Sequence, residues 1–241
     1  MRRMSPTEPQ KVAIITGASQ GIGAGLVDGF RRSGYAVVGN ALSIDPSDEP
    51  DYVTVEGDIS KVETAEQVVD RALGRFGRID SLVNDAGVFI GKPFTEYTAD
   101  DYAAVTAVNL DGFFHLTQRV IPQMVSQGSG HIVNVSTSLV DHPQSDSPSA
   151  LASLTKGGLA AVVRALAIEY ASRGVRANAV SLGVIRTPMH EPASYAEAAA
   201  THPLGRVGEV SDVVDGILYL ERATFVTGEV LHIDGGRAAG H

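Results

Sequence analysis

Short apolar runs alternate with helix-length amphipathic segments along the whole chain, and this alternation restricts the possible fold more than any other feature. The runs have the length of buried strands, and the longer segments between them are predicted helices. Parallel strands joined through helices need right-handed crossovers, which place helices on both faces of the sheet. The sequence therefore predicts a single doubly wound α/β domain with a parallel seven-stranded sheet.

The alternation also sets the predicted boundaries. We predict strands at residues 12–16, 36–39, 52–55, 81–83, 131–135, 176–180 and 230–233, and helices at 22–33, 64–76, 99–125, 153–172 and 210–220. Residues 1–10 are predicted to be a flexible tail, and residues 11–241 the domain. Two loops, 141–149 and 188–203, follow predicted strands at the carboxyl edge of the sheet, where open α/β folds bind ligands. The second has the length of a mobile lid.

Composition excludes several classes of protein. The 241 residues have a net charge of −9, which argues against a surface for nucleic acid or membrane, because such surfaces need clustered cations. The sequence contains no Cys, so a disulfide framework and a thiolate nucleophile are excluded, and we expect no metal site. The first ten residues lack the apolar run of a secretory signal, and the most apolar stretch, residues 157–168, is too short to cross a bilayer. We therefore expect a cytoplasmic protein that acts on a small molecule.

A glycine-rich turn joins the first predicted strand to the first predicted helix. The strand runs directly into Gly17, and Gly21 and Gly23 follow at the start of the helix. Glycines let the backbone approach a pyrophosphate closely, while the free N–H groups of the helix N-terminus face the anion. The turn is therefore predicted to bind the phosphates of a dinucleotide.

The pattern Thr16-Gly17-x-x-x-Gly21-x-Gly23 resembles the glycine motif of the short-chain dehydrogenase/reductase family. Further matches to that family follow in the right order, so that the resemblance covers residues 11–236. They are Asp58-Ile59, Asn84-Asp85-Ala86-Gly87, Asn109, the strand Ile132-Val133-Asn134-Val135-Ser136, Leu182-Gly183-Val184-Ile185-Arg186-Thr187 and the closing segment from Val226 to Gly236. The resemblance implies a Rossmann-type fold and an NAD(P)-dependent oxidoreductase.

The resemblance also implies the contacts of the cofactor. The glycine turn would hold the pyrophosphate and ribose, the segment after the third strand the adenine, and the segments after the fourth and sixth strands the cofactor wall and the nicotinamide. The implied residues are Gly17, Ser19, Gly21, Ile22, Gly23, Asp58, Ile59, Asn84, Ala86, Gly87, Ile185 and Thr187. Asp85 and Leu182 stand where the family usually has Asn and Pro, and we expect these changes to shift the geometry without abolishing binding.

The choice between the two nicotinamide cofactors depends on the end of the second strand. An acid there would bind the ribose 2′-hydroxyl, and an Arg would accommodate a 2′-phosphate. This chain has Asn40 in an uncharged segment, and Gln20 where many NADP-preferring relatives have a basic residue. Because nothing repels the phosphate, we predict NADP, with NAD as the alternative.

The catalytic end departs from the family. Members of the family use a Tyr as general acid, with a Lys four residues later that lowers the pKa of the Tyr and binds the nicotinamide ribose. Here the Lys is Lys156, but Ala152 occupies the Tyr position, and none of the seven Tyr in the chain has a Lys four residues after it. The usual acid is therefore missing.

The other catalytic positions remain. We predict Ser138, with Thr137 as the alternative, as the hydroxyl that holds the substrate oxygen, and Asn109 as the residue that anchors a water in the proton path. Candidates to replace the Tyr are Lys156 through water and four loop residues, namely His142, Asp141, Tyr195 and His190. A positioned acid contributes roughly 10²–10⁴ in rate, so its loss does not by itself abolish hydride transfer.

Three functions are compatible with these residues. The sequence favours an atypical oxidoreductase acting on a carbonyl, an imine or a conjugated acceptor. The alternatives are a dinucleotide-binding protein without turnover, as a sensor or structural partner, and a lyase or isomerase that reuses the cleft. Helices 99–125 and 153–172 carry small and apolar residues, among them Ala160, Ala161, Leu166 and Ala167, which predict a homotetramer or homodimer.

Overall fold

The structure is a computed structural model, and it describes residues 9–145, 147–189 and 194–240. Its strands are β1 (Val12–Thr16), β2 (Ala36–Ala41), β3 (Asp48–Glu49), β4 (Tyr52–Glu56), β5 (Ser81–Asn84), β6 (Gly130–Thr137), β7 (Val175–Leu182) and β8 (Val230–Ile233). Its α-helices are α1 (Gly21–Arg32), α2 (Val62–Phe76), α3 (Ala99–Thr106), α4 (Gly112–Gln127), α5 (Ala150–Tyr170), α6 (Tyr195–Ala200) and α7 (Val210–Arg222). Most of the predicted tail, residues 1–8, lies outside the described part.

The strands form one sheet in the order β3-β4-β2-β1-β5-β6-β7-β8. Seven strands are parallel, which confirms the predicted doubly wound sheet. The eighth, β3, pairs antiparallel with the edge strand β4. The sequence did not indicate β3, because its two residues, Asp48 and Glu49, are both exposed and have no apolar periodicity. The salt bridge from Arg31 to Glu49, at 2.6 Å, joins β3 to α1.

Two apolar cores lie on opposite faces of the sheet. On one face α1 and α7 bury side chains such as Phe30 and Ile217, and on the other α2, α4 and α5 bury side chains such as Val68, Leu116 and Val163. The central strands are buried on both faces, which is why they read as continuous apolar runs in the sequence. This packing fixes the carboxyl ends of the strands as one edge that carries the turns and loops described below.

The predicted helix 99–125 has an irregular centre. Helix α3 begins with a capping box between Thr98 and Asp101, and a π-helical turn at Ala107–Asp111 joins α3 to α4. A π turn inserts an extra residue into the helical ladder, and such turns often occur at functional sites. The turn carries the buried side chain of Asn109.

One helix, Ala150–Arg173, is long and apolar enough to cross a membrane by length and composition. Within the fold this segment is α5, which packs on the sheet and buries Leu159, Val163 and Ala167. Its apolar character is therefore explained in part by the core. The burial of Ala167 also corrects its predicted place on a surface, whereas Ala161 is exposed as predicted.

Candidate functional site

A cleft of about 660 Å³ opens at the carboxyl edge of the sheet. Its walls come from the turn after β1, the ends of β2, β4, β5, β6 and β7, and one face of α5. Its rim includes Met189, Ser194 and Ala198 from the predicted lid segment, which contains the short helix α6. The cleft therefore lies where the alternation of strands and helices predicts a ligand site.

The glycine turn forms one end of the cleft. Gly17 and Gly21 have backbone φ angles of +71° and +55°, which favour glycine. A Cβ on Gly23 would lie 2.2 Å from the carbonyl oxygen of Gly17, so no larger residue fits there without moving the backbone. Ser19, Gln20 and Gly21 line the cleft together with Ile22 and Gly17. The turn thus presents bare backbone and the N-terminus of α1 to a ligand.

The adjoining wall is formed by the ends of β2 and β4. The Asn40 amide nitrogen donates to the carbonyls of Val55 and Gly57, at 3.0 and 3.2 Å, which ties the two strand ends together. Asp58 and Ile59 line the cleft beside them, and the Asp58 carboxylate accepts from the backbone N–H of Ser60. Asn40 also lines the cleft, as does Leu42, whose side chain is 75% exposed.

The segment after β5 crosses the centre of the cleft. The Thr16 hydroxyl accepts from the backbone N–H groups of Asp85 and Ala86, at 3.1 and 3.0 Å. Asn84 is not among the residues that line the cleft, and its amide donates to Thr117 on α4 and to Asn134 on β6. Ala86 and Gly87 line the cleft. Asn84 therefore supports the central strands, and its neighbours form the wall.

Lys156 lies on the face of α5 that lines the cleft. Its ammonium donates to the carbonyl of Val135 at 2.9 Å, and a Cβ on Gly87 would lie 2.8 Å from Nζ. Burial lowers the pKa of Lys156, and the charge of Asp85 opposes that change. Ala152, one turn earlier, is 3% exposed and also lines the cleft.

Asp85 is a titratable group that sequence reasoning did not count among the functional residues. Burial raises the pKa of its carboxyl to about 7, although the charge of Lys156 and a hydrogen bond from the Gly23 backbone both lower it. The sequence contained a signal for this residue, because an acid replaces the family's usual Asn directly beside the glycine turn.

The two candidate hydroxyls after β6 occupy different environments. Thr137 lines the cleft, and its hydroxyl accepts from the backbone N–H of Leu139 at 3.3 Å. Ser138 is fully buried, does not line the cleft, and its hydroxyl has no hydrogen-bond partner within the described residues. Of the two residues, Thr137 alone lines the cleft, whereas the sequence favoured Ser138.

Asn109 is held in place by three hydrogen bonds. Its oxygen accepts from the Val88 backbone N–H at 2.9 Å, and its nitrogen donates to the Val88 carbonyl and to the Thr155 hydroxyl, both at 3.1 Å. It lies beside a cavity of about 10 Å³, a volume near that of a single water probe. Asn109 thus joins the segment after β5 to α5 and borders a space of one water.

Ile185 and Thr187 follow β7 and line the cleft. Three of the proposed replacements for the Tyr do not line the cleft, namely Asp141, His142 and Tyr195. Asp141 pairs with His232 at 3.1 Å, and the Tyr195 hydroxyl donates to the carbonyl of Thr187. His190 lies outside the described residues.

Within the described residues, no Tyr lines the cleft. The charged groups that line it there are Asp58, Asp85, Lys156 and Arg237. Sequence reasoning did not single out Arg237, which is 5% exposed and donates to the side chain of Gln144. No group of three or more His, Asp or Glu residues that could hold a metal ion occurs in the described ranges.

Comparisons with known proteins agree with this geometry. A family model described as enoyl-(acyl carrier protein) reductase matches residues 17–238. The 3-oxoacyl-[acyl-carrier-protein] reductase of Thermotoga maritima is 35% identical, over 94% of this chain and 97% of that protein.

Two solved structures are also similar to this chain over nearly its whole length. The 3-ketoacyl-(acyl-carrier-protein) reductase of Brucella melitensis, complexed with NADH, has a TM-score of 0.87 and 29% identity, over 95% of this chain and 98% of that chain. ElxO with NADP bound has a TM-score of 0.88 and 26% identity, over 96% of this chain and all of that chain.

Proposed function

Since the chain belongs to the short-chain dehydrogenase/reductase family of NAD(P)-dependent oxidoreductases, we propose that it reduces or oxidises an organic substrate without a tyrosine as general acid. The observation that carries this proposal is the environment of Lys156. Lys156 and Thr137 both line the cleft, while Ala152 occupies the position one turn before Lys156. The atypical chemistry follows from this combination of retained and missing groups.

The residues of the cleft fit a nicotinamide dinucleotide. The glycine turn has no space for any Cβ on Gly23, and the side-chain oxygen of Asn40 is buried without a partner within the described residues. The turn and Ser19 would hold the phosphates, Asp58 and Ile59 the adenine, Ile185 and Thr187 the nicotinamide, and Lys156 the ribose. A bound nicotinamide supplies or accepts a hydride.

The end of β2 favours NADP over NAD in this proposal. No acid lies at the end of β2 to repel a 2′-phosphate, since Asn40 is uncharged and Leu42 is exposed beside it. Solved relatives in complex with NADH and with NADP both share the fold. Leu42→Arg is expected to raise the affinity for NADPH relative to NADH, because a guanidinium binds phosphate well. An equal change in the affinities for NADPH and NADH would contradict the proposed preference for NADP.

Three groups would act on the substrate or its surroundings. The Thr137 hydroxyl, and not that of Ser138, would donate a hydrogen bond to the substrate heteroatom, because only Thr137 lines the cleft. Lys156 would stabilise negative charge that develops there. Asn109 would position the segment after β5 against α5 through its bonds to Val88 and Thr155.

The missing acid restricts the substrates that react well. A reduced ketone becomes an alkoxide and needs a proton, whereas a reduced iminium ion becomes a neutral amine and needs none. A conjugated acceptor lies between them, because its charge is delocalised. We therefore propose protonated imines, which react as iminium ions, and conjugated acceptors of small or medium size as the better substrates, with simple ketones as poor ones.

The function is tested by following NADPH and NADH consumption against a panel of ketones, imines and quinones. Turnover of imines or quinones that falls at least tenfold in Lys156→Met supports the proposal. Tight cofactor binding without turnover on any acceptor would instead assign the protein to the dinucleotide-binding class. Isomerisation or elimination without net cofactor consumption would assign it to the lyase and isomerase class.

We also propose that the protein forms a homotetramer. Exposed apolar side chains occur on two separate surfaces: Phe114, Leu154 and Ile168 on α4 and α5, and Tyr219 and Phe225 at α7. Ile168 is 86% exposed and Phe225 is fully exposed. Contiguous apolar surface usually marks an interface, and two such surfaces allow a dimer of dimers. Covering the first would also bury the outer face of α5.

A further inference from the structure

The Asp85 carboxylate lies against the glycine turn. A Cβ on Gly17 would be 3.2 Å from Asp85 Oδ2, and the backbone N–H of Gly23 donates to the same side chain. The backbone N–H of Asp85 is itself bound to the Thr16 hydroxyl at 3.1 Å. The carboxylate is therefore fixed directly beside the turn that would hold a pyrophosphate.

Within the described residues, three other charged side chains line the cleft together with Asp85. Lys156, on α5, is the cation that acts on it. The other charged residues that line the cleft within the described ranges are Asp58 and Arg237. A partly buried carboxylate is poorly hydrated and resists a second negative charge nearby. An anion on the turn therefore meets either a neutral carboxylic acid or a repelling carboxylate.

We propose that Asp85 couples dinucleotide binding to the uptake of one proton, so that the turn accepts the pyrophosphate with the Asp85 carboxyl protonated. This inference rests on the proposed function, namely that the cleft binds a nicotinamide dinucleotide. No bond other than that to the proton forms or breaks. The proton comes from the solvent when the ligand binds and returns to it when the ligand leaves.

The sign of the effect follows from linkage. The free protein holds Asp85 with a pKa of about 7, and a neighbouring anionic pyrophosphate raises that pKa further, because it disfavours the carboxylate. Below pH 7 both states are protonated, so the affinity does not change with pH. Above pH 7 the free protein loses the proton, and the affinity falls by up to about tenfold for each pH unit.

The test measures NADH affinity by fluorescence titration between pH 7 and 9. NADH is used because NADPH carries a 2′-phosphate that titrates near neutral pH. For the native chain we expect a loss of about tenfold between pH 7 and 8.5. Calorimetry at pH 8 in two buffers of different ionisation enthalpy should show net proton uptake. Asp85→Asn, which carries the family's usual residue, should bind NADH with a nearly constant affinity that exceeds that of the native chain at pH 8.5.

Lys156 needs its own control, because its deprotonation would also weaken binding at high pH. Lys156→Arg keeps a cation that does not titrate in this range, so it should retain the pH dependence if Asp85 is responsible. If the pH dependence of NADH affinity persists in Asp85→Asn and disappears in Lys156→Arg, the proposal is overturned and the proton is assigned to Lys156. Constant affinity of the native chain with no proton uptake would overturn it as well.

Two further outcomes separate this inference from the proposed function. If the native chain binds neither NADH nor NADPH at any pH, the proposed function itself is wrong. If it binds them without a proton, only the role of Asp85 is wrong. Circular dichroism of Asp85→Asn checks its fold, and the buffer comparison on the native chain decides the question even if that variant fails to fold.

Discussion

Ala152 and Lys156 lie one helical turn apart on α5 and line the same cleft. Residues at this spacing project from the same face of a helix. Ala152 is 3% exposed, and its side chain is a single methyl group. A methyl group cannot donate a proton, so under the proposed function any proton transfer depends on other groups of the cleft.

The glycine turn should not tolerate a branched residue at its centre. Gly21 has a φ of +55°, and a Val there is strained, because its Cβ meets the backbone in this conformation. We expect Gly21→Val to reduce cofactor affinity at least tenfold, measured by fluorescence titration. Gly74→Ala is the matched control, since a Cβ on that exposed α2 glycine meets nothing within 4 Å. Native affinity in a folded Gly21→Val would refute the binding site.

Thr137 should matter for turnover, and Ser138 should not. Thr137→Ala removes the hydroxyl of the one residue of the two that lines the cleft, so we expect kcat/KM to fall about tenfold or more, with recovery in Thr137→Ser. Ser138→Ala removes a buried hydroxyl that lacks a partner within the described residues, so it should keep its activity and match or exceed the native stability. The reverse pattern in steady-state kinetics would restore Ser138 as the substrate-binding hydroxyl.

The sequence predicted the sheet and the glycine turn well, for physical reasons. Strands buried on both faces are continuous apolar runs, and the glycines of the turn are required by φ angles and close backbone contacts such as that between Gly23 and Gly17. The edge strand β3 had no such signal. The catalytic end was harder, because Thr137 and Ser138 are adjacent hydroxyls, and only the three-dimensional path of the chain after β6 decides which of them faces the cleft. Asp85 was visible as an unusual residue, but its charge state depends on burial.

A buried polar network at the opposite edge of the sheet predicts loss of stability in acid. His131 Nδ1 contacts Glu221 at 2.7 Å, and its Nε2 contacts the amide nitrogen of Asn178 at 3.0 Å. The orientation of the Asn178 amide is set by its other bonds, because its nitrogen donates to the Val226 carbonyl and its oxygen accepts from the Glu229 N–H. The nitrogen therefore also donates to His131, and Nε2 must be the acceptor. The ring is therefore neutral with a proton on Nδ1, and burial lowers its pKa.

Because the folded pKa of His131 is below that of the unfolded chain, the unfolded state binds more protons as the pH falls below about 6.5. We expect the free energy of unfolding, from urea denaturation, to decrease by up to about 1.4 kcal/mol per pH unit between pH 6.5 and 5.5 from this group. His131→Gln should be less stable at pH 7.5, but with a smaller dependence over that range. Equal slopes for the two proteins would contradict the assignment.

The exposed apolar side chains of α5 predict that a charged substitution on this helix disrupts the tetramer. Ile168 is 86% exposed at the outer face of the helix, and burying a carboxylate in an interface is strongly unfavourable. We expect light scattering to give a tetramer mass for the native chain and a smaller species for Ile168→Glu. Phe94→Ser, an exposed position outside both surfaces, is the control and should leave the mass unchanged. A monomer mass for the native chain at micromolar concentration would refute the assembly.

Restoring the missing acid provides the most informative change at the catalytic end. A Tyr at position 152 would lie one turn from Lys156, and the positive charge would lower the pKa of its hydroxyl. We therefore expect Ala152→Tyr to gain reduction of simple ketones, by about 10²-fold over the native chain, measured as NADPH consumption. Ala152→Phe has the same ring without the hydroxyl, so it should gain nothing and reports the cost of the added volume alone.

The two variants together distinguish a specialised enzyme from a remodelled cleft. Ala152 is 3% exposed and lines the cleft together with Leu139 and Lys156, so the added ring must take up space in the cleft. If the ring overpacks that space, both variants lose stability or cofactor affinity to a similar extent. Gain of ketone reduction in Ala152→Tyr alone shows that the rest of the catalytic arrangement is intact. Unchanged ketone rates in a folded, cofactor-binding Ala152→Tyr would show that Thr137 and Lys156 no longer hold a substrate for hydride transfer.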